Sequence, residues 1–210
     1  KILPIISEIT SPFCSCNIDD DGFSINLKYP SAFKDDYLRP EILLEIGPLA
    51  SWLPYDSFEI ESFAAQSFPR LFEKTKCTVN TIVAKRTFWE KATILHHEAN
   101  RPKESLMPTR YSRHYYDLAM MATSGVKDEA LSDLKLLENV VEFKQKFYPR
   151  TWAKYEESVP GTLKLLPPEF RLTSLEKDYK AMQNMIFDKN LTFDEIINIL
   201  NDLENEINKI

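Results

Sequence analysis

The sequence predicts an α+β protein, mixed over residues 1–125 and wholly helical over residues 126–210. Three observations carry this. Short apolar runs with a two-residue period occupy much of the first part. Two amphipathic patterns of helical period follow between residues 87 and 122. After Gly125 every apolar pattern keeps the helical period. A chain of 210 residues can bury a real core, as one large domain or two small ones.

Composition narrows the class. No apolar run approaches the roughly 18 residues needed to span a bilayer, and no signal-peptide pattern opens the chain. The cysteines are Cys14, Cys16 and Cys77, an odd and sparse set that points to a reducing, cytoplasmic setting rather than a disulfide framework. A net charge of −6 argues against extended wrapping of nucleic acid. It leaves room for a local basic pocket. Lys85, Arg86, Lys91, Arg101, Lys103, Arg110 and Arg113 crowd into one stretch, opposed there only by Glu90, Glu98 and Glu104. That asymmetry suggests a phosphate-facing patch, with an ordinary solvated surface as the commoner alternative for such a run.

Taken in order, residues 2–9 read as the end of a helix. Asp19, Asp20, Asp21 and Gly22 read as a hairpin turn. Residues 22–29 alternate Phe23, Ile25, Leu27 and Tyr29 on one face, a half-buried strand closed by Pro30. Residues 41–47 form a second, mostly apolar strand carrying Glu45, a carboxylate that is costly to bury unpaired. Strands at 57–62 and 77–83 flank a short helix at 64–73 that Pro69 interrupts. The second of these strands leads into a helix that Thr87 and Glu90 predict to begin with a capping box.

On that helix Phe88, Ala92, Leu95 and Ala99 form one stripe, and Lys91 lies beside it. A second helix starts at Ser112, with Tyr115, Leu118, Ala119 and Ala122 as its packing face and Asp117 in its middle. If residues 100–111 reverse the chain, Lys91 lies about 12 Å and Asp117 about 8 Å from the turn. A long lysine can then reach the aspartate or share a ligand with it. The same spacing serves a helical hairpin held by an ion pair, with no chemistry. His96 and His97 are adjacent and point in different directions, which disfavours a shared metal. His114 alone reads as a packing or hydrogen-bonding residue. One long helix is predicted over 128–148, a short one over 151–158, a proline-bounded loop over 159–168, and two last helices over 172–187 and 193–209. Thr192 and Glu195 box the last of these.

The runs TFWEKATILHHEA at 87–99 and SRHYYDLAMM at 112–121 resemble the two C-terminal motifs of the AbiEii/AbiGii nucleotidyltransferase toxins of type IV toxin–antitoxin systems. EILLEIG at 41–47 and VPGTLKLLPP at 159–168 extend the resemblance over most of the chain. It implies a nucleotidyltransferase-like mixed sheet remnant at 1–125, N-terminally incomplete, followed by the helical region 126–210. It implies transfer of a nucleotidyl group from a nucleoside triphosphate to an RNA, such as the 3′ end of transfer RNA, or to a protein. Mg2+ and a cognate antitoxin come with it. The motif lysine, which contacts the nucleotide, maps onto Lys91, and the motif aspartate, needed for activity, maps onto Asp117. Asp117 either orients Lys91 or acts as general base. Glu45 is the candidate third acidic residue, with an exposed position on an edge strand as its alternative, and Arg113 can add a phosphate contact. No residue is assigned as a metal ligand.

The family's glycine-serine turn and D-x-D carboxylates are not found, and Pro48-Leu49 stand where it has a small residue and an arginine. We therefore expect a precursor with roughly 60–100 further N-terminal residues, and no catalysis by this chain alone. The rival readings are a truncated or degenerate protein that binds nucleotide or antitoxin without chemistry, and a purely structural helical protein.

Overall fold

The computed structural model describes residues 1–33, 37–47, 51, 53–187 and 190–210. Pro48 and Leu49 lie outside the described residues. The chain is α+β and forms two compact units, Lys1–Ala50 with Asn184–Phe187, and Ser51–Gln183 with Asp188–Ile210. The compositional change at Gly125 falls inside the second unit.

In the first unit, α1 (Ile2–Thr10) precedes β1 (Ser15–Ile18), β2 (Ser24–Lys28) and β3 (Glu41–Glu45). These strands make an antiparallel sheet in the order β1-β2-β3, with Ile25 opposite both Ile18 and Leu44. The triple aspartate is the turn between β1 and β2. Asp21 Oδ1 accepts from the Phe23 and Ser24 amides, each at 2.8 Å, and Oδ2 accepts from Ser24 Oγ at 2.6 Å. Those bonds, led by the Ser24 hydroxyl, hold the Asp21 carboxyl below its usual range. Gly22, at φ +72°, supplies the left-handed residue the turn requires. Burial on β2 is confined to Ser24, Ile25 and Asn26 with Leu27 half-covered. Phe23 and Tyr29 lie past the paired rungs and are exposed, so the alternation overstates the buried face.

In the second unit, β4 (Tyr55–Glu61) and β5 (Lys76–Ile82) form an antiparallel hairpin with Phe58 opposite Val79. Between them come α2 (Phe63–Ser67) and a 3-10 turn opened by Pro69. Then follow α3 (Ala84–Ala99), α4 (Ser112–Ala122), α5 (Val126–Leu131), α6 (Leu134–Phe147), α7 (Glu169–Ala181) and α8 (Phe193–Ile207). Helix α3 is the hub, packed against α4, α5 and α6, while α4 also packs on α7 and α8. Phe88, Trp89, Ala92 and Leu95 of α3 and Tyr115, Leu118 and Ala119 of α4 are all buried. Ile196, Leu200, Leu203 and Ile207 carry the buried stripe of α8, whose Thr192–Glu195 capping box forms as the sequence predicts. Among the described residues no helix is long and apolar enough to cross a membrane.

Four helices differ from expectation. The one predicted over 172–187 is α7 at Glu169–Ala181, followed by a 3-10 turn at Gln183–Met185. Helix α3 starts three residues before Thr87, directly off β5, without a side-chain cap; Glu90 accepts from Arg86 Nε at 3.0 Å instead of boxing Thr87. The predicted single helix over 128–148 is broken into α5 and α6. Asp133 caps α6 by accepting from the Leu136 amide, and Lys85 of α3 pairs with it at 2.6 Å. The stretch 151–158 is two 3-10 turns separated by Lys154 at φ +49°. The 159–168 loop buries Leu163 and Leu165. Its amides are taken by Asn208 Oδ1, His96 Nδ1 and Glu204 Oε2, which is how an irregular segment can enter the core.

Candidate functional site

Helix α4 begins at Ser112 because a residue far along the chain caps it. Tyr111, the N-cap, offers no side-chain cap. Asp178 of α7 fills the role, accepting from the amides of Arg110 and Ser112 at 3.0 Å and from Ser112 Oγ at 2.6 Å. Arg171 of the same helix ties the preceding loop through the carbonyls of Pro102 and Ser105, at 2.9 and 2.6 Å. The connection is therefore fixed at both ends, and it sets α4 against α3.

This packing brings Lys91 and Asp117 together. Lys91 Nζ donates to Asp117 Oδ2 at 2.7 Å and to His114 Nδ1 at 2.9 Å. His114 is buried, and burial first, then the charges of Lys91, Arg113 and Lys144, push its imidazole down to about 3. The ring is neutral at ordinary pH. Its Nδ1 faces a permanent donor and accepts, which leaves the proton on Nε2. The Tyr111 ring packs edge-on against it at 4.9 Å. The Lys91 side chain keeps 19% of its surface exposed and Asp117 keeps 40%. This is a polar cluster at the surface, not a sealed ion pair.

Most of the cation run has a structural occupation. Lys85 holds Asp133. Arg86, 2% exposed, spans Glu90 and the Leu53 carbonyl, the latter at 2.6 Å. Arg101 grips Glu98 with two bonds of 2.7 and 2.8 Å and lies 4.6 Å from the Trp152 ring centre. Lys103 sits over Phe170. Of the predicted phosphate-facing patch, Lys91 belongs to the cluster with Asp117 and His114, and Arg113 is exposed on α4 with no ion pair among the described residues. Glu45 ends the edge strand β3 of the first unit, exposed and opposite Ser24. The other three predicted site residues all belong to the second unit.

His114 is the hydrogen-bonding and packing residue the sequence predicts, but the sequence reading did not join it to Lys91 and Asp117. His114 shares a helix face with Asp117 three residues on, a spacing that could have flagged a joint ligand for Lys91. Lys144 stands on α6 in line with buried Leu137, Val140 and Val141, where the apolar stripe calls for a hydrophobe.

Among the described residues no three His, Cys, Asp or Glu side chains are grouped to hold a metal ion. Asp21 spends its oxygens on its turn, and Asp117 gives one oxygen to Lys91. These residues do not fit a protein-held magnesium ion.

The fold is α+β, with a lysine–histidine–aspartate cluster on two neighbouring helices. The family model described as nucleotidyl transferase AbiEii toxin of the type IV toxin–antitoxin system matches residues 5–199. The chain belongs to that family. No curated protein and no solved structure matches it.

Proposed function

We propose that this chain carries the lysine–aspartate part of a toxin that transfers a nucleotidyl group from a nucleoside triphosphate to an acceptor. RNA, including a transfer RNA 3′ end, is the acceptor we favour over protein. The observation that carries this reading is the state of Lys91. An ammonium has three hydrogens, and two are taken by Asp117 and neutral His114. The third is left for a ligand at a partly open surface. Lys91 binds the phosphates, Arg113 adds a second contact one turn from Asp117, and His114 holds the amine in place. Asp117 either fixes Lys91 or, through its second oxygen, takes the acceptor proton. Glu45 is retained as the third acidic residue of the transfer, an assignment that rests on the resemblance and its strand position alone.

Nucleotidyltransferases use a triphosphate and a divalent cation; we assign magnesium, which neutralises triphosphate charge when bound. A cognate antitoxin and a cytoplasmic setting belong to the same reading. The motifs not found in this sequence favour a second reading, in which the chain binds nucleotide or antitoxin without chemistry. Calorimetry with ATP and GTP, with and without magnesium, tests both. Binding that Lys91→Ala abolishes supports a nucleotide site, and an assay of nucleotidyl transfer to RNA then separates enzyme from binding module. No binding under any of these conditions overturns the first reading and the nucleotide-binding form of the second.

A further inference from the structure

We propose that the cavity between the end of α7 and the start of α8 takes a nucleobase. The base packs on Tyr179 and Phe193, and Gln183, Asn190 and Asp194 read its edge. The cavity holds about 470 Å³, within the range of small-ligand sites. Every residue lining it belongs to the second unit. Its floor is aromatic and apolar: the Tyr179 and Phe193 rings lie 6.1 Å apart, tilted by 40°, beside buried Leu191. Tyr179 fixes that floor, since its hydroxyl donates to the Leu191 carbonyl at 2.5 Å. The polar groups above it are largely unspent. Gln183 Nε2 donates to the Tyr179 carbonyl at 3.1 Å, and its Oε1 has no partner among the described residues. Asn190 Oδ1 lies 3.4 Å from the Tyr179 hydroxyl, and its amide hydrogens have no partner among the described residues. Asp194 has no ion pair among the described residues, whereas Glu176 and Lys180 pair with each other at 2.9 Å.

A base offers a flat π face and an edge of ring nitrogens, carbonyls and amino groups. Stacking on aromatic side chains, with hydrogen bonds along that edge, is how unpaired bases are recognised. A phosphate does not suit the opening, where Glu176 and Asp194 outnumber Lys180. A carboxylate accepts from the amino group of cytosine, adenine or guanine, while a uracil edge turns carbonyl oxygens toward it. The carboxamides of Gln183 and Asn190 both donate and accept. The phosphates must then lie elsewhere, and α4 supplies the place. Its Tyr116 ring stands 6.3 Å from that of Tyr179. Asp117, the next residue, points about 100° further round the helix, where it meets Lys91 at 2.7 Å. Arg113, exposed, is three and four residues before them and projects between the two directions. The cavity and the Lys91 cluster therefore flank one exposed strip of α4.

This inference rests on the nucleotide reading above, and free nucleosides, which carry no phosphate, separate the two. Saturation-transfer NMR measures adenosine, cytidine, guanosine and uridine on this chain, on Phe193→Leu, on Asp194→Ala and on Lys91→Ala. Melting temperatures are recorded in parallel. Calorimetry with the four triphosphates and with a short single-stranded RNA follows on the same proteins. Adenosine, cytidine and guanosine are expected to bind, and uridine more weakly. Phe193→Leu keeps an apolar contact and removes the ring, so affinity is expected to fall about tenfold, the size of one lost base–aromatic stack. Asp194→Ala is expected to erase the preference against uridine, and Lys91→Ala to leave nucleoside binding unchanged. Triphosphate binding weakened by Phe193→Leu makes the base that of the donor nucleotide; RNA binding alone weakened makes it that of the acceptor. If neither is weakened, if no nucleoside binds, or if nucleoside binding is unchanged in folded Phe193→Leu, the base pocket is overturned and the role of Lys91 stands. Nucleoside binding lost in Lys91→Ala also overturns it, placing the base at the lysine cluster. Uridine binding as tight as the others overturns the reading by Asp194. Triphosphate binding weakened by Phe193→Leu but indifferent to Lys91→Ala supports the pocket and overturns the role of Lys91.

Discussion

The two ends of α3 treat charge differently. Toward its C-terminus, Glu98 is 3% exposed and takes both donors of Arg101, and His96 is fully buried with both ring nitrogens engaged. His96 Nδ1 accepts from the Lys164 amide, and Nε2 donates to the Lys154 carbonyl, each at 3.0 Å. Most strong polar groups there have a partner inside the protein; among the described residues His97 Nε2 is the exception, buried 3.7 Å from Glu98 Oε1 without a hydrogen bond. Two turns earlier, Lys91 meets a half-exposed aspartate and a neutral histidine and keeps one hydrogen unspent at a partly open surface. A buried polar group that the fold satisfies serves the fold. One that the fold leaves short is waiting for something else. That contrast is what separates a helical hairpin held by charge from a binding site.

The largest effect expected lies at the satisfied end. Glu98→Ala leaves the Arg101 guanidinium largely buried beside Trp152 without its carboxylate, a change worth about 3–5 kcal/mol of stability. Chemical denaturation reads it directly. A loss below about 1 kcal/mol would place Glu98 with the surface pairs and erase the contrast.

At the unsatisfied end the expected loss is in function. Lys91→Ala and Asp117→Ala are each expected to lower transferase activity about 10²–10³-fold, in the range of a lost electrostatic contact. Their melting temperatures should stay close to that of the unaltered protein. The double substitution is expected to be no worse than the weaker single one, because members of one catalytic unit are not additive. Activity that survives with a collapsed melting temperature would turn Lys91–Asp117 into a structural pair.

How much of this was legible in sequence follows the same division. The period of α3, the start of α4, the α8 capping box and the Lys91–Asp117 pairing depend on spacing within one or two helices, and a sequence displays spacing. What stayed hidden depends on partners far along the chain. Asp178 caps α4 from α7, and Glu204 of α8 holds the loop amides of Leu165 and Leu166. The Ser132-Asp133 break was visible as a capping signal, yet the apolar stripe runs through it and favoured one long helix. Asp133→Ala should destabilise by about 2 kcal/mol, since it removes a cap and the partner of Lys85 together. Restoring the cap alone with Asp133→Asn should recover most of it, which denaturation of the two variants compares.

The smallest effect concerns protonation, and it tells whether His114 is held neutral by the cluster. Its folded value is pushed down to about 3, against an ordinary value of 6.5. His97, packed against Trp152 and Tyr155 with Arg101, Arg150 and Lys144 near, is pushed down to about 4, chiefly by burial. Below pH 6.5 the unfolded chain takes up protons that the folded chain refuses. Stability is therefore complete above pH 6.5 and declines as pH falls toward 4 and then 3. Between pH 6.5 and 5, before carboxylates contribute strongly, each such histidine should account for about 1.5 kcal/mol of the decline. His114→Asn removes the titration and keeps an acceptor oxygen where Nδ1 receives Lys91. The variant should lose about that much of the pH dependence while still binding nucleotide. An unchanged slope would mean that His114 is charged in the folded protein. Lys91 would then face a cation instead of an acceptor, and only Asp117 would be left to hold it.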